Sequence, residues 1–235
     1  MSYVKDYQYT NTTVSEAVVS RAYRDMYGWM ACGLALSAIT AFFCIDKNIV
    51  IAMMQSNVMW LLAIASFVMV FVLNAAIQRI SFTTATLCFA GYSIIMGAWI
   101  APVLYIYTAA SVFQVFASTA AAFGAMALYG HFTKRDLSSF GRIFMMGLIG
   151  IIIASVINIF VANSVMDFVV SILGVVLFCG LTMYDVQQFK QMLNQSYLYD
   201  NQTVQKIALL GALKLYLDFL NLFLYLLRLL GDRRD

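Results

Sequence analysis

The feature that most constrains this chain is length without charge. From Phe168 to Tyr184 the sequence reads FVVSILGVVLFCGLTMY, with no ionisable group stronger than a thiol or a phenol. An α-helix needs about 20 such residues to cross the hydrocarbon core of a bilayer. Apolar runs of that kind recur near residues 27–45, 58–78, 83–104, 108–130, 143–162, 165–185 and 207–230. In lipid every backbone N–H and C=O must be paired inside the protein, which leaves helices or closed barrels. Barrel strands alternate apolar and polar residues over segments of about ten, whereas these runs are continuous. The pattern predicts an all-α integral membrane protein with seven transmembrane helices. Composition agrees: 11% of residues are charged, against about 25% in a soluble domain.

Polar and turn-forming residues separate the runs. Asp46-Lys47-Asn48 follows the first and Arg79-Ile80-Ser81 the second. Pro102 ends or kinks the third. A polar loop spans 131–142, Asn163-Ser164 makes a tight turn, and 186–206 is the longest polar connector. Val186, Phe189, Met192 and Leu193 keep helical spacing, so the sixth helix is expected to run one or two turns past Asp185. The organisation is a polar N-terminal segment (1–26), one membrane domain (27–231) and a short charged tail (232–235). The N-terminal segment lacks the apolar core of a signal peptide. Small residues four apart (Gly33 and Ser37, Ala117 and Ala121, Gly150 and Ala154) permit close helix contact in lipid. Trp29, Trp60 and Trp99 lie near span ends, as interfacial anchors do.

Lys and Arg residues orient the bundle, because they accumulate in cytoplasmic loops. Seven crossings place Lys5, Arg21, Arg24, Arg79, Lys134, Arg135, Arg142, Lys190 and Lys206 on the side of the N-terminus. The other side receives Lys47 and the tail residues Arg228, Arg233 and Arg234. The N-terminus is therefore expected in the cytoplasm. The basic tail is discordant, and a full crossing of the last helix is favoured over one that folds back.

Several function classes fall away. A net charge of +3 without a basic cluster gives no footprint for nucleic acid. Cys32, Cys44, Cys88 and Cys179 sit in apolar runs without CxxC spacing and read as small buried hydrophobes. A single histidine, His131, excludes a multi-histidine metal site, and no cofactor is expected.

Charged groups within membrane spans are costly and are functional candidates. Here they are Arg79 at the end of the second span, Asp185 in the sixth, and Lys214 and Asp218 in the seventh. Lys214, Asp218, Asn221, Tyr225 and Arg228 share one helix face by their spacing, and that stripe should face the interior. The bland alternative is a Lys214–Asp218 bridge at i,i+4 that only fixes packing. If the sixth helix continues, Asp185 and Asp218 lie at similar depth with Arg79 at the same membrane face. Two carboxylates in a low-dielectric site share a proton rather than both ionise. Fully deprotonated, they attract a hard cation such as Ca²⁺, so Asp185 and Asp218 are also a candidate calcium site. Tyr184 and the glutamines after Asp185 would form its mouth, while Lys214, Asn221 and Tyr184 itself would tune it. This is a proton-responsive cation site rather than a reaction centre.

YGHFTKRDLSSFGRIFMMGLIGIIIASVINIF (129–160), GLTMYDVQQ (180–188) and LKLYLDFLNLFLYLLRLLG (213–231) resemble the bacterial branch of the Bax inhibitor-1 family, the transmembrane BAX inhibitor motif proteins. The resemblance runs over about 20–231. It implies six helices wrapped around a central C-terminal helix, set in the bacterial inner (plasma) membrane. It also implies a calcium leak governed by an aspartate pair that senses pH. By motif, Asp185 in TMYD and Asp218 in YLDF match that pair, and Arg79 is similar to the family's latch arginine. The partners so implied are the bilayer, calcium and protons.

Three other readings compete with this one. An intramembrane aspartyl protease also uses two helix-borne aspartates. Its second aspartate follows a glycine, where the backbone must approach substrate; Asp218 follows Tyr216 and Leu217, and the only proline is Pro102. An enzyme is therefore not expected. A retinal protein would exploit Lys214 but needs a counter-ion that the third span lacks. The third rival is a regulatory membrane protein that modulates a membrane protease or a stress response through a protein partner, with the stripe as structural glue.

Overall fold

The computed structural model of the chain describes residues 16–47, 49–77, 79–195 and 201–234. It consists of α1 (Glu16–Asp46), α2 (Ile49–Met54), α3 (Val58–Ala76), α4 (Phe82–Tyr105), α5 (Ala109–Phe132), α6 (Gly141–Val161), α7 (Ser164–Gln195) and α8 (Asn201–Leu230), with one 3₁₀ turn at Ser138–Phe140. Seven of these helices are long and apolar enough to cross a membrane, and α2 is the exception. No strand occurs among the described residues; a lone bridge pairs Tyr107 with Arg233.

The helix ends follow local chemistry. Ser81 and Thr108 have extended backbones, and their hydroxyls accept from the Thr84 and Ser111 amides to start α4 and α5. Ala162 closes α6 in the left-handed region at φ 52°. The Asn163 side chain then accepts from the Val165 and Met166 amides to open α7. This is the tight turn expected at Asn163-Ser164. Pro102 does not break α4 early; it lies in the last turn, where the helix runs on to Tyr105. The stretch between the first two long spans carries the short helix α2, which buries Val50 and Met53.

α8 occupies the centre. In its most apolar window 67% of residues are buried, against 6% in α3 and in α6. It packs on α7, α1, α5 and α4, whereas α3 reaches the bundle through α4 and α6 through α7. The six other long helices therefore surround α8 in two layers, and α3 and α6 are the outermost. Their outward apolar side chains, such as Trp60, Phe67, Ile153 and Phe160, are exposed, which lipid permits and water does not.

Where helices approach most closely, small residues make it possible. Gly97 of α4 lies so near α1 that a Cβ there would sit 2.4 Å from the Ser37 carbonyl oxygen. At that crossing Ser37 Oγ bonds the Ser93 carbonyl at 2.7 Å and the Tyr216 hydroxyl at 2.7 Å, joining α1, α4 and α8. The Gly33/Ser37 pair thus lies at a helix contact. Ala117 and Ala121 are exposed, and Gly150 has nothing within 4 Å of its Cβ position, so those two spacings mark no close crossing here.

The tail settles how α8 travels. The Thr108 amide donates to the Asp232 carbonyl at 3.0 Å and the Arg234 amide to the Ile106 carbonyl at 2.9 Å. The chain end is thereby tied to the α4–α5 turn, at the opposite end of the bundle from the start of α8 at Asn201. α8 crosses the bundle completely.

Candidate functional site

α7 does not stop at Asp185 but continues to Gln195, further than the one or two turns expected. Its polar extension is bound to the α5–α6 connection. The Gln187 side chain accepts from the Leu137 amide at 2.8 Å and donates to the Arg135 carbonyl at 2.7 Å. Lys190 Nζ donates to the His131 carbonyl at 3.0 Å. The Asp136 carboxylate accepts from the Ser138 amide at 2.9 Å, and its bonds to Ser138 hold it below the usual carboxylate range. Asp185 lies half a turn deeper than this staple.

α7 and α8 run antiparallel along the polar stripe. From one end to the other, Asp185 meets Lys214 and Asp218, Phe178 stacks on Tyr225 with centroids 5.9 Å apart, and Asp167 pairs with Arg228 at 3.0 Å. The stripe faces the α7–α8 seam, as its spacing suggests, and it emerges at the far end, where Arg228 and Asp167 are about two-fifths exposed.

At the inner end lies the candidate site. The Asp185 and Asp218 carboxyls are within hydrogen-bonding reach of each other. Asp218 is 4% exposed, and its buried Oδ2 has no hydrogen-bond partner among the described residues. Lys214 Nζ sits 3.3 Å from Asp185 Oδ1 and 2.5 Å from Gln188 Oε1. Gln188 Nε2 makes a long 3.4 Å bond to the Tyr184 hydroxyl. One polar chain therefore runs Tyr184, Gln188, Lys214, Asp185, Asp218. A hydrogen bond between two carboxyls requires a proton on one of them, so the chemistry open to this group is holding, moving or exchanging a proton or a cation.

Not every sequence candidate joins this group. Arg79, expected as a latch, is exposed at the end of α3 and makes no ion pair with either aspartate; its amide donates to the Ala76 carbonyl. The reason is architectural: α3 is an outer helix that meets α4 and α2. The cation at Asp185 is instead Lys214. The i,i+4 bridge from Lys214 to Asp218 is not formed, because Lys214 reaches across to α7. Asn221 Nδ2 donates back to the Leu217 carbonyl of its own helix. Tyr184 packs against Phe144 of α6 and reaches the group only through Gln188. Gln188 was not singled out by itself. Its position three residues after Asp185, on the same helix face, is the signal that places it there.

The two carboxyls and one amide oxygen are too few to cage a resident calcium ion, which takes roughly six to eight oxygen ligands. No group of three His, Cys, Asp or Glu side chains suited to a metal occurs among the described residues.

Comparison with known proteins places the chain. It is 44% identical over 211 residues to the inner membrane protein YbhL of Escherichia coli K12, covering 89% of this chain and 90% of that protein. It is 42% identical over 212 residues to a protein of Borreliella burgdorferi, covering 89% and 91%. A protein of Rickettsia prowazekii is 38% identical over 237 residues, covering 98% of this chain and 99% of its own length. The family described as inhibitor of apoptosis-promoting Bax1 matches residues 19–235. With six long apolar helices around a buried C-terminal one, the chain is a multi-pass membrane protein and belongs to the Bax inhibitor-1 family.

Proposed function

We propose that this protein is a pH-sensitive leak pathway for calcium, controlled by the proton shared between Asp185 and Asp218. The observation that carries the reading is the close approach of two carboxyls at the α7–α8 seam, one of them buried. When the shared proton leaves, two like charges face each other in a medium that screens them poorly. Separation of α7 from α8, or entry of a cation, relieves that repulsion. Either event opens the seam, and a divalent ion has oxygen ligands at its entrance. The protein would lie in the bacterial inner membrane with the site near the cytoplasmic face, since Lys and Arg gather at that end and the Escherichia coli relative is named an inner membrane protein. Arg79 has no part in the arrangement described here.

The test is a Ca²⁺ flux titration in reconstituted vesicles between about pH 5 and 8, the range in which coupled buried carboxyls and histidine-like groups titrate. Flux through the wild type should depend on pH. Asp185→Asn and Asp218→Asn, which cannot ionise, should flatten the profile. If the variants keep the wild-type midpoint, or no cation passes at any pH, the leak reading is wrong. In that case the seam would be structural, and a non-transporting role in regulating a membrane protease or stress response would take its place.

A further inference from the structure

An ionised carboxylate inside a membrane span is stabilised by a positive charge nearby. Around Lys214 Nζ the structure assembles what a cation needs: Asp185 Oδ1 at 3.3 Å and Gln188 Oε1 at 2.5 Å, from one face of α7. The ammonium comes from α8, one turn before Asp218. An ammonium among oxygen acceptors is chemically a stand-in for a metal ion, with hydrogen bonds in place of coordination. Lys214 is also half out of the core. Its side chain is 32% exposed while that of Asp185 is 12% exposed, so the lysine is the more open partner, and a flexible four-carbon stem lets it withdraw.

We propose that Lys214 is a tethered counter-ion that occupies the cation position of the Asp185–Gln188 site, so that a divalent cation reaches the carboxyls only by displacing it. The device sets the apparent calcium affinity of the pathway. A tethered group acts at a high effective concentration, so the resident ammonium keeps the site closed to calcium at low concentration and yields to it at higher concentration. It also explains why Asp185 needs no arginine from α3: its charge is already met from the neighbouring helix. In its effect on flux the proposal rests on the leak reading above, but its effect on cation binding does not.

The experiment measures the half-saturating Ca²⁺ concentration of flux at fixed alkaline pH for wild type, Lys214→Met, Lys214→Arg and Asp185→Asn/Lys214→Met. Loss of a unit charge a few ångströms from the ligands should lower half-saturation about tenfold or more in Lys214→Met. Lys214→Arg keeps the charge and should stay near wild type. The double variant, without the carboxylate, should lose the gain. Lys214→Gln serves if the methionine variant does not fold. Equal half-saturation in wild type and Lys214→Met, or the same gain in Lys214→Arg, overturns the proposal. If no chain passes Ca²⁺, the leak reading fails, and the melting temperature of the detergent-purified protein against Ca²⁺ still decides this one. Stabilisation of Lys214→Met at about tenfold lower Ca²⁺ than wild type supports it, and identical responses overturn it.

Discussion

At the scale of single residues, three polar side chains of LTMYDVQQFKQ (181–191) divide between two directions. Asp185 and Gln188 turn toward α8, while Gln187 turns toward the α5–α6 connection. The charge of Asp185 drew attention in the sequence because a carboxylate in a membrane span is rare. Gln188 drew little, because an amide is tolerated almost anywhere and carries no such signal. Gln187 is buried, and both ends of its amide are used by backbone groups of Leu137 and Arg135. Gln187→Leu should leave those two groups unpaired, at about 1–3 kcal/mol of local stability. Amides of 133–137 should then exchange faster by hydrogen-exchange mass spectrometry, with the core of α8 unchanged. Unaltered protection would show that the staple does not hold the loop. Arg79 shows the limit of residue-level reading: charge counting puts it at the right end of the bundle, but which helix stands between it and the pair depends on packing that no local pattern encodes.

At the scale of helices, the seven spans were legible because hydrophobicity sustained over about 20 residues has few other uses. The extension of α7 was legible from the spacing of Val186, Phe189, Met192 and Leu193, three of which are buried. The stripe on α8 was legible as a face, since i,i+3 and i,i+4 spacing is a geometric fact of the helix. Its partner was not, and Lys214 chose α7 over its own helix. Small-residue spacing was the least reliable guide. Gly33/Ser37 marks a contact, but Ala117/Ala121 faces outward, because a four-residue repeat permits close approach without requiring it. This gives a paired prediction. Gly97→Val drives a side chain into the Ser37 carbonyl, and overpacking of that kind costs about 1–3 kcal/mol. Gly150→Ala meets nothing within 4 Å and should be neutral or slightly stabilising, since alanine is the better helix former. Melting temperatures in one detergent compare the two; equal losses would contradict the assigned crossing.

At the scale of the whole molecule, the architecture puts the most enclosed helix where the functional candidates are. α8 is held at one end by the tail's bonds to the α4–α5 turn and along its length by α7. The Ser37–Tyr216 node joins it to α1 and α4, with Tyr216 about half a turn from both Lys214 and Asp218. A change of charge at the seam therefore acts on the element to which four of the other helices attach directly. The central arrangement was implied by family resemblance rather than by composition, which cannot rank one apolar helix against another. The full crossing of α8 was favoured from its length, and the tail's hydrogen bonds account for it.

The central claim is that Asp185 and Asp218 act as one proton-sharing unit. The most direct measurement is the pH profile of Ca²⁺ flux in a double-mutant cycle of Asp185→Asn and Asp218→Asn. Groups that share one proton titrate as a pair and are strongly non-additive. Either single variant should remove the pH response, and the double variant should change nothing further. Two separate pH responses, each lost with its own aspartate and adding in the double variant, would contradict it.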